Sequence, residues 1–382
     1  MLPQTKLPQI GTTIFTVVSQ WAQEHGAINL GQGFPDFSAP QRLLDETAQA
    51  LFAGKNQYAP MMGIATLREA VAEKIQVSYG AAVDADEEIT ITSGATEAIF
   101  NAIHALVHAG EEVIVLDPAY DCYVPAIELA GARAVHVHLE EPDFSVNWLK
   151  VKAAITSRTR MLIINSPHNP CGSVLSTEDM RTLSELLHGT GIYLLSDEVY
   201  EHIMYDGVAH QSVLMWPELR ERAVVVSSFG KTYHCTGWKI GYAIAPPALT
   251  HEFRKIHQYN TFCSFGPAQY GFAAMLRQEP EHHQTLGAFY QQKRDHFREQ
   301  LQQTRLKLRP VAGGYFQLVD YSAISDLSDY DFVRWLTVEK GVAAIPMSAF
   351  YAHAPPQQRL IRLCFAKNQT TIDTAISRLR TL

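Results

Sequence analysis

The sequence predicts an α/β fold, a mostly parallel sheet covered by helices on both faces with a smaller α+β unit after it. Between about residues 88 and 245, seven short β-branched or apolar runs alternate with helix-like segments, at 89–92, 113–117, 133–139, 161–165, 192–197, 224–228 and 240–245. Most of these runs are apolar throughout rather than alternating, which is how strands buried on both faces read. After about residue 275 the character changes to a polar, Gln- and Arg-rich stretch over 277–304, followed by shorter strand and helix signals.

Each element follows in chain order. The first 40 residues, with Gly and Pro concentrated in GQGFPDFSAP, read as an extended arm rather than a core element. Helical patterns separate several of the seven runs, supplying the crossovers that parallel strands require. Only 229–239 joins the last two runs, too short for a crossover helix, so one strand there is expected to run antiparallel in a mixed sheet. The stretch 277–304 reads as one long helix opening the smaller unit. The expected division is a large domain over 42–276 and a small domain made of 1–41 and 277–382.

Composition narrows the function. A chain of 382 residues that is 47% hydrophobic and 18% charged is long and apolar enough for a large core, which excludes disorder. No uninterrupted apolar stretch approaches the ~18 residues of a membrane span. With 31 basic against 39 acidic residues the net charge is -8, which argues against nucleic acid as the main partner. Five cysteines, at 122, 171, 235, 263 and 364, form no C-x-x-C pair and have no histidine at zinc-like spacing, so reduced thiols and no metal are expected. The N-terminal MLPQTKLPQIGTTIF lacks a long apolar core of the secretory kind, which makes the cytoplasm the expected compartment.

In an open α/β sheet the ligand site lies at the carboxyl ends of the strands, so polar residues just after apolar runs carry the chemistry. The run ITSGATEA at 91–98 passes from a strand through a glycine turn into a helix, whose free N–H groups could hold a phosphate; small residues there also serve simple packing. NSPHNPCG at 165–172 is a loop fixed by two prolines, either a plain turn or a frame that aims the Asn169 carboxamide at a ligand oxygen. In LSDEVY at 195–200, Asp197 ends an apolar strand and needs a partner. It reads equally as a helix N-cap and as a carboxylate facing a cationic ring nitrogen, with Tyr200 directed at the same ligand.

The fourth place, SSFGKTYHCTGWKIG at 227–241, sets Lys231 in a Gly- and aromatic-rich loop just past a buried strand. Such a lysine is a candidate for a depressed pKa and Schiff-base chemistry. A second cation, Lys239, and the hydroxyls of Ser228 and Thr232 complete the set that a phosphorylated aldehyde would need.

These motifs, in this order, resemble those of the class I pyridoxal-phosphate aminotransferases of fold type I. GQGFPDF, NQYAPMMGIATLREA at 56–70, DPAYDCY at 117–123 and IRLCFAK at 361–367 extend the likeness over nearly the whole chain. The branch it most resembles is that of the methionine, kynurenine and glutamine-transaminase-K-like enzymes. The resemblance implies pyridoxal 5'-phosphate as cofactor and a ping-pong transamination through a Lys231 Schiff base. In that scheme Lys231 also moves the substrate proton, and Asp197 pairs with the pyridine nitrogen. Asn169 and Tyr200 address the ring's phenolic oxygen, and Tyr120 stacks on its face. The phosphate falls to Gly94, Ala95, Thr96, Ser228 and Lys239, where many relatives carry arginine at the last position, with Tyr58 entering from a second subunit of a homodimer. Arg362 clamps the substrate carboxylate, helped by Asn169 and the Gly33 backbone.

The resemblance further implies that Phe15, Tyr58, Tyr120 and Phe34 set side-chain specificity, which favours apolar or aromatic amino acids. The stretch 258–270, where dicarboxylate-preferring relatives carry a second arginine, contains none, so aspartate is disfavoured. Methionine is the expected first donor, with phenylalanine, tyrosine, leucine, histidine, glutamine and kynurenine as further candidates and a 2-oxo acid as acceptor. A β-lyase acting on cysteine conjugates or cystathionine is the alternative on the same fold, and a cofactor-sensing regulatory domain the alternative outside enzymes. A dinucleotide-dependent dehydrogenase is excluded by the lack of a G-x-G-x-x-G turn after an early strand.

Overall fold

A computed structural model describes residues 4–382. Its centre is a seven-stranded sheet in the order Ile89–Thr92, Gly241–Ile244, Ala223–Ser228, Tyr193–Asp197, Thr159–Asn165, Glu112–Asp117, Arg133–His138. Each of the seven expected runs supplies one of these strands. Six of them run in one direction, and Gly241–Ile244 alone among the seven runs antiparallel, to both its neighbours. The link after Ser228 explains this: it holds only the helical turn Phe229–Thr232 and the 3-10 turn Thr236–Trp238, so the chain doubles back beside the strand it has just left. Gly241 makes the return fit, since a Cβ there would stand 2.6 Å from the Ser227 carbonyl oxygen and 3.0 Å from the Ala95 nitrogen.

Alternation along the strands feeds two apolar layers. Val113, Val115, Ile163, Val224 and Val226 pack on Ile99, Ile103 and Phe253 of one helical layer. Ile114, Leu162, Ile164, Leu194 and Val225 face the other way, into the layer that holds Phe229 and Phe272. Both faces are dry, which is why the runs read as continuously apolar.

A four-stranded antiparallel sheet, in the order Ile345–Pro346, Leu360–Cys364, Phe316–Asp320, Lys307–Leu308, forms the C-terminal part. The helices Asp329–Lys340 and Gln369–Leu379 bury Phe332, Leu336, Ile372 and Ile376 in the core shared with Leu318, Ile361 and Leu363.

Two expectations need correction. The first 40 residues are not simply an extended arm: Ile14–Glu24 is a helix that buries Val18 and Ala22, capped by the Thr13 side chain, and Ile28–Asn29 pairs in parallel with Val342–Ala343. Nor is 277–304 one helix. Helix Gly266–Gln278 ends where Pro280 forces Glu279 out of the helical region, to φ -134 and ψ 55; a short turn Glu281–Gln284 follows, then helix Leu286–Leu301. The second bend lets Gly287 approach the chain so closely that a Cβ would lie 2.8 Å from the Met204 carbonyl oxygen.

Candidate active site

The carboxyl ends of the central strands open into a pocket lined by Gly94, Ala95, Thr96, Tyr120, Asn169 and Asp197 from the earlier segments. Val199, Tyr200, Ser228, Lys231, Thr236 and Lys239 line the remainder. All the residues the sequence singled out after its four strand ends are brought together here except Thr232, which is buried and not part of the lining.

One end suits an anion. Gly94, at φ 82, precedes helix Ala95–Leu106, and no side chain caps the helix. Its free N–H groups and the helix dipole make this a ready anion site. Lys239 adopts the left-handed conformation, φ 54 and ψ 48, which lays its side chain against Gly94. A Cβ on Gly94 would meet Lys239 Cε at 3.3 Å and Nζ at 3.4 Å, so the cation lies directly against this glycine, whose positive φ is the conformation that favours glycine here. Thr96 Oγ1 lies 3.4 Å from the Tyr120 hydroxyl.

The opposite end holds a carboxylate. Asp197, 3% exposed, accepts from the Tyr123 hydroxyl at 2.7 Å and the Val199 N–H at 3.3 Å. Burial pushes its carboxyl up to about 6, against the pull of those two donors. The side wall is the proline-framed loop, with cis peptides at Ser166–Pro167 and Asn169–Pro170. Asn165 ties it down, its Nδ2 donating to the Asp197 carbonyl at 2.8 Å and its Oδ1 accepting from Asn169 N–H at 2.7 Å.

Lys231 lines the same pocket, Nζ donating to the Gly33 carbonyl at 3.3 Å and lying about 6 Å from the ring centroids of Tyr200 and Tyr315. Desolvation brings its amine down to about 8; Cys364 and Asp197 oppose that shift, whereas Lys239 and Arg362 add to it.

Arg362 is not part of the lining but is one hydrogen bond from it. Its Nη1 donates to Asn169 Oδ1 at 2.8 Å and its Nη2 to the Gly31 carbonyl at 2.9 Å, while Nε, buried, has no partner among the described residues. The guanidinium, 1% exposed, sits 3.9 Å from the Phe316 ring centroid, 5.0 Å from Phe350 and 5.4 Å from Phe15. An aromatic cage of this kind holds the planar cation in place and dries its surroundings.

Of the remaining expected residues, Gly33 turns its carbonyl toward Lys231, and Phe15 belongs to the arginine cage. Phe34 is 43% exposed under the Lys367 amine, outside the pocket lining. Tyr58 is 85% exposed and also outside this chain's pocket, its ring edge-on to Phe262 at 5.6 Å. Sequence reasoning assigned no role to Tyr123, although it lies in the DPAYDCY motif, and gave no sign of Phe316 and Phe350.

The site thus offers an uncapped helix end with a lysine for a phosphate, a buried carboxylate for a ring nitrogen, and an amine of depressed pKa for an aldehyde. That donor set fits pyridoxal phosphate. Residues 25–379 match the family described as aminotransferase class I and II. The chain belongs to that family.

Like its relatives, this aminotransferase depends on pyridoxal phosphate and acts as a transaminase. It is 53% identical over 382 residues to the methionine aminotransferase of Escherichia coli K12, covering 100% of this chain and 99% of that one. Identity is 37% over 389 residues to a probable N-succinyldiaminopimelate aminotransferase of Mycobacterium tuberculosis, covering 99% and 98%. Among solved structures, Escherichia coli YbdL, whose structure and reactivity identify a methionine aminotransferase function, matches with a TM-score of 0.98 at 53% identity over 100% of both chains.

Proposed function

We propose that this aminotransferase takes the amino group of methionine, and more slowly those of other apolar and aromatic amino acids, and passes it to a 2-oxo acid. The observation that carries this reading is the convergence of Lys231, Asp197 and Lys239 on one pocket whose wall, Asn169, is bonded directly to the caged Arg362.

Pyridoxal phosphate, when bound, supplies a sink for the electron pair left at the amino acid's Cα. Asp197 would hold a proton at the ring nitrogen; a neighbouring cation favours its ionised form and offsets the burial that now raises it. The Ala95 and Thr96 end of the helix, Ser228 and Lys239 would hold the phosphate, and Tyr120 the ring face. Asn169 and Tyr200 would orient the ring through its phenolic oxygen. Lys231 Nζ takes and returns the proton at Cα, a task suited to an amine whose pKa lies near the working pH. Arg362 offers a two-pronged donor to the substrate carboxylate, and its aromatic neighbours keep water from competing.

Methionine is favoured because aromatic rings surround the clamp, because 258–270 carries no arginine for a second carboxylate, and because the 53%-identical relative bears that activity in its name. A homodimer completes the reading. Tyr58, Tyr259, Phe262 and Phe265 are exposed around one segment, a face suited to a second copy, and Tyr58 would there reach the neighbour's phosphate. The cofactor-holding unit is assigned to 42–276, with 1–41 and 277–382 as the smaller one. Five unpaired cysteines fit a reducing compartment, the cytoplasm.

The test is an absorbance spectrum of the purified protein before and after methionine, with Lys231→Ala as control. A visible band that methionine bleaches and a 2-oxo acid restores is the expected result. Faster turnover of aspartate than methionine under matched conditions overturns the donor preference, and pyruvate with ammonia released without any acceptor points to the β-lyase instead.

A further inference from the structure

Two donors converge on one backbone oxygen beside the reactive amine. The Gly33 carbonyl accepts from the Tyr315 hydroxyl at 2.7 Å and from Lys231 Nζ at 3.3 Å. We propose that Tyr315 is a positioning residue for Lys231, acting through the carbonyl oxygen that both address. This rests on the reading of Lys231 as the amine that moves the Cα proton.

The geometry fixes the arrangement. Tyr315 is fully buried, edge-on to Tyr200 at 5.1 Å, its hydroxyl donating to the Gly33 carbonyl and also interacting with the Tyr200 phenol. The Gly33 backbone lies close over Phe316, where a Cβ would stand 2.8 Å from Cζ, so only glycine fits at this position. Burial keeps the Tyr315 phenol protonated, and so a donor, well beyond the ordinary range. An oxygen already engaged by a short bond attracts a second donor less strongly, and the lysine contact lies at the long end of hydrogen-bond distances. The hydroxyl therefore keeps Lys231 within reach of its target while holding the amine loosely.

The charged and titratable groups facing Lys231 are Asp197 and Cys364, which favour its ammonium form, and Lys239 and Arg362, which oppose it. The rings of Tyr200 and Tyr315 flank it. Tyr315→Phe leaves these charges in place and frees the Gly33 oxygen for the ammonium. Its Lys231 should thus deprotonate at higher pH.

Two readouts test this in the full chain. With pyridoxal phosphate removed, carbamylation of Lys231 by cyanate, followed by mass spectrometry across pH, reports the free amine. In Tyr315→Phe the rate near neutral pH should fall roughly five-fold and rejoin the wild type at high pH. In the loaded enzyme the alkaline-going limb of kcat should shift the same way, with the KM for methionine little changed. Site-specific 3-fluorotyrosine at 315, a stronger donor, should move both profiles to lower pH, and it serves alone should the phenylalanine variant fail to fold. Superimposable profiles, or shifts in the same direction for both substitutions, overturn the proposal. An active Lys231→Ala removes the underlying reading, whereas an inactive Lys231→Ala beside unmoved Tyr315→Phe profiles removes only the role of Tyr315.

Discussion

The Tyr123 hydroxyl donates to Asp197 Oδ2 at 2.7 Å from a helix that begins at Tyr123 itself, 74 residues earlier in the chain. That bond stabilises the ionised carboxyl against a burial that favours the neutral one. Tyr123→Phe should raise the Asp197 pKa further and weaken pyridoxal-phosphate binding by about ten-fold, the usual loss for a hydrogen bond to a charged group. Titration of the cofactor by absorbance reads this directly, and unchanged affinity would refute it.

Arg362→Lys keeps the charge but loses the fork and the stacked plane over Phe316. The expected outcome is a rise in the KM for methionine of roughly thirty-fold, from loss of a bidentate, desolvated contact. Steady-state kinetics with methionine varied at fixed 2-oxo acid measures it.

If Tyr58 serves the neighbouring subunit, two defective chains can repair one another. Lys231→Ala and Tyr58→Ala, each poorly active alone, should on equal mixing and subunit exchange recover about a quarter of wild-type activity, since half the dimers then hold one intact site. No recovery after demonstrated exchange would place Tyr58 outside the site.

Asp197 also sets a pH dependence of stability. Its carboxyl titrates at about 6 in the folded chain against 3.8 ordinarily, so between those values the folded state holds the extra proton. Stability therefore falls as pH rises through that window. Asp197→Asn removes the titration, and in cofactor-free protein its Tm relative to wild type should climb between about pH 4 and about pH 7. A constant difference across that range would contradict the assignment.

The central sheet was legible because its strands are buried on both faces, so Val113 to Leu116 and Met161 to Ile164 carry no polar interruption. Lys231, Asp197 and Asn169 were legible for a related reason: each ends or follows such a strand, where ligands bind. Helix Ile14–Glu24 went unread because the Gly and Pro signals of the segment after it dominated its own periodicity. The cage around Arg362 left no local trace. Phe316 and Phe350 are ordinary apolar residues in sequence, and their role arises only when strand Phe316–Asp320 and the turn Met347–Phe350 close on the same guanidinium.

The returning strand Gly241–Ile244 has a consequence for how the protein is made. Ile89–Thr92, which leads into the Gly94 helix end, pairs with no other strand among the described residues. On a ribosome it must wait for some 150 residues of further synthesis, a separation that on general grounds slows closure of the sheet. The anion cradle is therefore a late product of folding: its first wall is synthesised early and stays without a sheet neighbour until the last strand slides in beside it.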